Sequence, residues 1–279
     1  MSYATSLYLT AAEIGLSITA LVLLLLAAWN GDRSARLLTI IAVAALVGAA
    51  IFSIGLFDRS ASEVAGRAFG DLYRADAFGS FGKVLIYLAS AAVLIVTPRF
   101  FTQLGGYRAE YPVLMLFNAV GMGIMVSATD LMTLYIGLEM SSLSSYVLAS
   151  FLRQDDRSSE AGLKYFAFGG VASAFFVFGI SYLYGATGSL DMGHWAVLEH
   201  HSSMFALGLT LVLVGLGFKV AVVPFHLWAP DVYQCAPTPV AAWVASGSKI
   251  ASVFFLVRLV AAVPVPAALQ AGAGPIIWT

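Results

Sequence analysis

Residues 204–223 read MFALGLTLVLVGLGFKVAVV, and residues 224–239 continue with PFHLWAPDVYQCAPTP. The first stretch carries a single charge, Lys219, and it has the length of about 20 apolar residues that a helix needs to cross a bilayer. The second stretch contains four prolines, which remove backbone donors and disfavour helical geometry just before them. Together they predict a membrane helix that is broken near its end, and such a break is stable at membrane depth only beside protein or water.

Apolar runs of similar length recur along the whole chain. Of its 279 residues, 60% are hydrophobic and 10% are charged, whereas soluble domains carry roughly 25% charged residues. Because these runs are too long and too continuously apolar for barrel strands, they predict an all-α fold class, a polytopic transmembrane helix bundle. The eight predicted spans are residues 11–29, 37–57, 77–97, 111–128, 130–151, 162–185, 204–223 and 238–263, and a ninth begins after Pro264.

The order of the spans predicts three parts. Residues 1–110 hold three N-terminal spans, residues 111–263 form a five-helix unit with the broken helix near 219–239, and residues 264–279 begin a further helix that stops before it can span. Transporters often repeat such a plan in inverted form. We therefore expect the first half of an inverted-repeat fold, in a chain that is a fragment or an early-terminated form.

Basic residues distinguish the two sides of the membrane. With the first helix starting outside, the inner loops hold seven basic residues and the outer loops three, so the positive-inside rule places the N-terminus outside. The inner set is Arg33, Arg36, Arg99, Arg108, Arg153, Arg157 and Lys164, and the outer set is Arg59, Arg67 and Arg74. Since the net charge is −1 and no long basic run occurs, the expected partner is the lipid bilayer and not nucleic acid.

Three ionisable residues lie deep inside predicted spans, namely Glu139, Lys219 and Lys249. A charged side chain at the centre of a membrane helix costs about 2.5 to 3.5 kcal/mol on insertion scales, and such residues mark proton or ion pathways by default. Burial favours the neutral amine of a lysine and a nearby carboxylate favours the ammonium, so Lys219 can exchange a proton when Glu139 moves. The three residues are candidate proton-transfer groups. The alternative for each is a structural role in an ion pair or in helix packing.

Neighbouring residues offer further proton acceptors or water. His226, in the broken segment, is a candidate relay beside Lys219 because imidazole titrates near neutral pH, and capping a free carbonyl is its alternative role. The serines that can hold water around Lys249 are Ser246, Ser248 and Ser252. Lys83 and Lys164 lie near span ends, so function and simple snorkelling to the interface are equal alternatives for them.

Small and capping residues indicate how the helices pack. Residues 127–130 must serve as both turn and cap, with Thr129 or Asp130 accepting the first free amides of the fifth span. Because this turn is so short, the fourth and fifth spans are expected to be antiparallel neighbours. Asp231 and Tyr233 are interpreted as anchors of the proline-rich loop. The small residues expected to allow close helix contact are Gly121, Gly123, Gly169, Gly170 and the serines of residues 141–145.

Cofactor and metal chemistry is not indicated. The single cysteine, Cys235, excludes an internal disulfide, a four-cysteine iron-sulfur site and a multi-cysteine zinc site. Haem would need an axial histidine within a span, and no predicted span contains one. His194, His200 and His201 share an outer loop with Glu199 but lack convincing metal-ligand spacing. Phosphate-binding loops, dinucleotide fingerprints and nucleophile elbows are absent from the sequence.

Two stretches are similar to a known family. Residues 218–233, FKVAVVPFHLWAPDVY, and residues 236–240, APTPV, resemble the antiporter-like subunits of respiratory complex I, most of all subunit N. Residues 130–141 and 162–166 share the resemblance. It implies an antiporter-like fold in which Glu139 and Lys219 are a coupled carboxylate–lysine pair and Lys249 is the central relay lysine.

The resemblance also implies a function. The chain would be a non-redox, proton-translocating subunit of a NADH-quinone oxidoreductase in a bacterial inner membrane, with the other membrane subunits as partners. NADH and quinone would be used by other subunits, and this chain would bind no cofactor. Two departures are Cys235, where the family has glycine, and the lack of a second half, which supplies the exit-side lysine. The alternatives are a subunit of a sodium/proton antiporter, which shares the buried charges, and a structural spacer.

Overall fold

A computed structural model describes residues 3–60, 66–104, 106–197 and 203–263 of the chain. The described part is a polytopic bundle of α-helices with one small hairpin. The helices are α1 Tyr3–Leu9, α2 Ala11–Asn30, α3 Ala35–Ser60, α4 Ala77–Gln103, α5 Glu110–Ser127, α6 Leu131–Ala149, α7 Asp156–Thr187, α8 Ser203–Val220, α9 Trp228–Cys235 and α10 Thr238–Ala262. Short 3-10 helices occupy Gly31–Ser34 and Met192–Val197, and the hairpin strands are β1 Gly66–Ala68 and β2 Tyr73–Ala75.

Each of the eight predicted spans coincides with a long helix, so the helical fold class is confirmed. Six stretches of the described chain have the length and hydropathy of membrane spans, and the first, Ala11–Leu56, contains α2 and most of α3. Helix α6 is not among the six, because four serines and Glu139 lower its hydropathy. It is nevertheless packed between α5 and α7. The division into three parts stays a prediction, and residues 264–279 lie outside the described residues.

Helix α5 lies at the centre of the bundle. Fourteen of its eighteen residues are buried, and it contacts α2, α3, α4, α6 and α10. Its approach to α6 is close because a Cβ added at Gly121 would lie 2.6 Å from both the Gly137 carbonyl oxygen and the Ser141 amide nitrogen. The Asn118 amide also donates to the Ser141 carbonyl at 3.0 Å. The expected antiparallel contact of these helices is therefore confirmed, whereas Gly170 faces open space.

The start of α6 and the hairpin meet at one end of the bundle, the end that the basic residues predict to be outside. Asp130 caps α6 as expected, because its carboxylate accepts from the amides of Met132 and Thr133 at 2.9 and 3.0 Å. The antiparallel hairpin, which sequence analysis did not predict, pairs Ala68 with Tyr73, and Tyr73 also bridges to Ala128 in the α5–α6 turn. We call this end the hairpin end.

Helix α8 ends at Val220, three residues earlier than predicted. The amides of Ala221 and Val222 donate back to the carbonyls of Phe218 and Gly217, which is the Schellman arrangement of a helix C-terminus. Ala221 takes the left-handed φ of 63° that glycine usually supplies there, so its backbone is strained. The prolines begin downstream of this turn, and helical geometry resumes at α9. That these pieces form one interrupted membrane helix stays a prediction.

Candidate functional site

Lys219 lies in the last turn of α8 and is 9% exposed. Its ammonium points towards α6 and donates a hydrogen bond of 2.7 Å to the hydroxyl of Ser142. The C-terminus of a helix carries partial negative charge, so this position stabilises a cation. The same turn is held in place by Trp228, whose indole N–H donates to the Phe218 carbonyl at 2.7 Å. The end of α8 therefore provides a defined site for one buried positive charge.

Glu139 lies one turn before Ser142 on α6 and is half-buried. Its carboxylate accepts a short hydrogen bond from the hydroxyl of Ser173 on α7. Although Glu139 and Lys219 both lie in the described part of the chain, they form no ion pair with each other. The expected carboxylate–lysine pair is thus separated by two serine hydroxyls. Each charge is held by its own neutral partner.

A cavity lies between these partners. Lys219, Ser142 and Ser173 all line it, and about 20 Å³ of it is open to water-sized molecules. A water needs roughly 10 to 15 Å³ measured in this way and two to four polar partners. The cavity therefore has room for about one water between the hydroxyl that holds Glu139 and the hydroxyl that holds Lys219.

Aromatic residues form the wall of this cavity on the α9 side. The Tyr165 ring is stacked on Trp228 with a centroid distance of 4.6 Å, and Tyr146 meets Tyr165 edge-on at 4.8 Å. Gly169 is required here because a Cβ at this position would overlap the Tyr146 ring. Tyr165 is the residue that extends the site towards α10, since its hydroxyl lies near the side chains of Ser145 and Ser248 without forming a hydrogen bond to them.

Lys249 lies in the middle of α10, and its ammonium is 5.5 Å from the centre of the Tyr233 ring. The hydroxyls of Tyr165, Tyr233 and Ser248 are buried, and none makes a hydrogen bond of good geometry with another described residue. Buried polar groups are nearly always satisfied by protein or water. Ser252 does not add to this set because it bonds its own helix, at the Ser248 carbonyl. The three hydroxyls therefore keep hydrogen-bonding capacity that the described residues do not use.

Comparison with known proteins identifies the family of this arrangement. Residues 128–271, just over half of the chain, match the family described as NADH:quinone oxidoreductase/Mrp antiporter, TM. The chain belongs to this family. The matched segment begins at the turn before α6 and so includes the positions of Glu139, Lys219 and Lys249.

Named relatives agree with the family. The chain is 49% identical over 261 residues to the NADH-quinone oxidoreductase subunit N of Erythrobacter litoralis, an alignment that covers 93% of this chain and 54% of the relative. A subunit in the structure of respiratory complex I from Thermus thermophilus with bound aureothin is 32% identical, with a TM-score of 0.74 over 93% of this chain and 55% of that one. The chain thus spans about half the length of the relatives it matches.

A third comparison concerns the fold alone. A chain in the structure of the Mrp complex from Dietzia sp. DQ12-45-1b aligns with a TM-score of 0.74, 22% identity, and coverage of 91% of this chain and 48% of that one. The helical architecture is therefore shared across both branches that the family description names, and the fold does not separate them.

The remaining residues that were singled out from the sequence lie in several different environments. His226 is half-buried in the turn after α8, and its Nδ1 has no hydrogen-bond partner among the described residues, whereas Lys219 bonds Ser142 instead. Lys164 does not merely snorkel, because it bonds the carboxylates of Asp231 and Glu160 at 2.7 Å each. Asp231 consequently ties α9 to α7 as an anchor. His200, His201 and Glu199 lie outside the described residues.

Lys83 does not snorkel to the membrane interface. It is only 2% exposed, and its ammonium lies 2.5 Å from the carboxylate of Glu13 on α2. Glu13 was not among the residues predicted from the sequence, because it lies near the start of an apolar run. Tyr165 was not predicted as a site residue either, because tyrosines are common in membrane helices. The signal that could have identified Glu13 was a charged residue inside a predicted span, about one turn from its start.

Proposed function

We propose that this chain belongs to a proton-translocating, non-redox membrane subunit of a bacterial NADH-quinone oxidoreductase. Lys219 carries the proposal, because a buried ammonium at a helix end faces a cavity that also contacts the hydroxyl partner of Glu139. NADH oxidation and quinone reduction would occur in other subunits, and this chain would bind no cofactor. Its proposed partners are the other membrane subunits and the lipid of the inner membrane, with the N-terminus on the outer side.

The mechanism follows from the separation of the two charges. With Glu139 ionised, its negative charge across the small cavity favours the ammonium form of Lys219. When Glu139 is protonated or moves away, the ammonium loses that support and releases its proton to water in the cavity. The amine left behind can take a new proton later, so Lys219 is restored in each cycle.

The released proton has a polar path towards Lys249. It runs from the cavity past the Tyr165 hydroxyl to the Ser248 hydroxyl, next to Lys249 in sequence. Hydroxyls and water both donate and accept, so a proton entering one oxygen can be matched by a proton leaving it. Lys249, held over the Tyr233 ring, would be the next proton carrier.

The alternative is a subunit of a sodium/proton antiporter, because the family description includes Mrp antiporters. The named relative at 49% identity favours the oxidoreductase. Sodium-dependent proton movement in vesicles without any NADH dehydrogenase would instead support the antiporter.

The test is NADH-driven proton pumping in membrane vesicles that carry the full-length subunit with Lys219→Ala. We expect the complex to assemble and most of the protons moved per NADH oxidised to be lost, since no other described lysine shares this cavity. Arg153→Ala is the matched control, because it removes a cation from an exposed ion pair with Glu110. Normal pumping by an assembled Lys219→Ala complex would overturn the proposal.

A further inference from the structure

A second set of ionisable side chains is buried near the hairpin end and has no part in the mechanism above. Glu13 on α2 is 5% exposed, Lys83 on α4 is 2% exposed, and they form an ion pair of 2.5 Å. Two tyrosines complete the set. Tyr73 of β2 donates to the Glu13 carboxylate at 3.0 Å and accepts a short hydrogen bond from Lys83, and Tyr87 donates to the same carboxylate oxygen at 3.5 Å. We call these four residues the Glu13 cluster.

One oxygen of this carboxylate is left over. All contacts of the Glu13 cluster converge on Oε1, whereas Oε2 is buried without a hydrogen-bond partner among the described residues. A buried ion pair is stabilising only when the remaining lone pairs are also satisfied. An unpaired, fully buried carboxylate oxygen is therefore a poor feature for a purely structural pair.

Helix α5 leaves room for the Glu13 cluster because it has a glycine, Gly123, at the point of contact. A Cβ at Gly123 of α5 would overlap the Tyr87 hydroxyl and would lie 3.3 Å from Oε1 of Glu13. The titratable or charged groups that face Glu13 come from β2 and α4, namely Tyr73, Lys83 and Tyr87. Arg258 of α10 acts on Tyr73 from farther away, while α5 contributes glycine and serine.

Tyr73 connects the cluster to a polar route out of the bundle. Burial, and then the Glu13 carboxylate, raises the pKa of Tyr73 well above its ordinary value, so its hydroxyl keeps its proton. That hydroxyl also lies near the side chain of Ser127 at the end of α5, whose Oγ is buried and makes no hydrogen bond with the other described residues. A protonated hydroxyl between two polar neighbours can receive a proton on its oxygen and pass its own proton on.

The route continues around Gly79. The point where a Cβ of Gly79 would sit lies 2.8 Å from Asp76 Oδ1, 2.8 Å from Arg258 Nη2 and 3.3 Å from Ser127 Oγ, so these three atoms gather around a position without a side chain. Arg258 in turn lines an open cavity of about 270 Å³ at the hairpin end. The other charged residues that line this cavity are Arg67, Asp71, Arg74 and Asp191.

We propose that the Glu13–Lys83 pair is a second proton-exchange site, which takes up and releases protons through Tyr73 and Ser127 at the hairpin end. One proton enters at the Tyr73 oxygen as the hydroxyl proton passes to the Glu13 carboxylate, and release reverses both transfers. The pair alternates between ionised Glu13 with Lys83 ammonium and neutral Glu13 with Lys83 ammonium. This inference rests on the proposed function, since it gives the same subunit an exchange site on the side opposite to the Lys219 turn.

The experiment replaces both members of the pair by neutral residues in the full-length subunit of the assembled complex. The double variant Glu13→Gln/Lys83→Met removes both charges at similar volume, and replacement of a whole buried pair is often well tolerated. We expect it to assemble, to reduce quinone, and to move fewer protons per NADH than the unaltered complex. Proton pumping in the double variant equal to that of the unaltered complex would show that the pair is structural and would overturn the proposal.

Tyr73→Phe decides the question where the double variant does not assemble. It keeps the ring and the ion pair but removes the hydroxyl that links Glu13 to Ser127. We expect assembly with a reduced proton yield, while the control Tyr3→Phe, on an exposed ring of α1, pumps normally. A normal yield in Tyr73→Phe would overturn the proposal.

Comparison with the Lys219→Ala complex distinguishes a failure of the Glu13 site from a failure of the proposed function. Loss of pumping in Lys219→Ala together with normal pumping in the double variant contradicts the Glu13 site alone. Normal pumping in both contradicts the proposed function as well.

Discussion

The two carboxylate–lysine sets of this bundle differ in how the charges are held. Glu13, in the first turn of α2, and Lys83, in the second turn of α4, form a direct ion pair of 2.5 Å. Glu139 and Lys219 each contact a serine instead, and a cavity lies between their partners. The first set binds its charges to each other, whereas the second leaves each charge free to respond to protonation of the other.

The position of each lysine along its helix explains the difference. Lys83 lies within a continuous helix, so the surrounding turns fix where its ammonium can reach. Lys219 lies in a final turn that ends at a strained alanine, where the chain leaves helical geometry. The end of a helix thus permits the adjustable geometry that a relay needs, while a position inside a helix favours a direct pair. Three predictions test this contrast.

The largest effect is expected from breaking the direct pair. Lys83→Met alone leaves a buried carboxylate without its cation, which typically costs about 3 to 5 kcal/mol of stability. In a double-mutant cycle the Glu13–Lys83 coupling should lie near the top of the range of about 0.5 to 3 kcal/mol for contacting residues, and the Glu139–Lys219 coupling near the bottom. Thermal unfolding of the purified subunit or complex in detergent measures both couplings.

Equal couplings for the two sets would contradict the contrast. Gly15→Ala provides a control on α2 close to Glu13, because a Cβ there meets nothing within 4 Å. Its stability should stay close to that of the unaltered protein.

The helical fold was predictable from the sequence because the features that determine it, long apolar runs and short turns, are local. Continuous apolar length predicted every long helix, and the short turn of residues 127–130 predicted both a cap at Thr129 or Asp130 and an antiparallel pair. The hairpin of β1 and β2 was not predictable in this way, because its strands are three residues long and Tyr73 is positioned by contacts with α2 and α5.

The candidate site was only partly predictable from the sequence. Lys219, Glu139 and Lys249 were selected because charge in an apolar span is unusual. The serines that separate Glu139 from Lys219 depend on how α6, α7 and α8 pack, and spacing along the chain does not contain that information. The Glu13–Lys83 pair was missed for the same reason, since its members are seventy residues apart and come together only in the bundle.

A smaller effect is expected from removing the hydroxyl that holds Lys219. Ser142 donates to the Leu138 carbonyl and accepts from Lys219, so Ser142→Ala removes a hydrogen bond to a charged group, worth about 1.5 to 3 kcal/mol. The Lys219→Ala background should abolish this loss, because the ammonium is then absent. Unfolding in both backgrounds measures the difference.

Ser144→Ala is the matched control for this prediction. Its hydroxyl bonds only the Met140 carbonyl of its own helix, so its removal should change stability little in either background. A Ser142→Ala protein as stable as the Ser144→Ala protein would show that the hydroxyl does not hold the ammonium.

The smallest effect is expected at the ion pairs of Lys164, which bonds Asp231 and Glu160 at 2.7 Å while its side chain remains 39% exposed. Water and salt screen such a charge, so Lys164→Gln should destabilise less than either preceding variant, and the difference should vanish near about 1 M salt, where the Debye length is roughly 3 Å. The loss from Lys83→Met should persist at the same salt concentration, because ions do not reach a pair that is buried on all sides. Unfolding at low and high salt would therefore distinguish the exposed pair from the buried one, and a salt-sensitive Lys83→Met would show that the Glu13 cluster is open to bulk solvent.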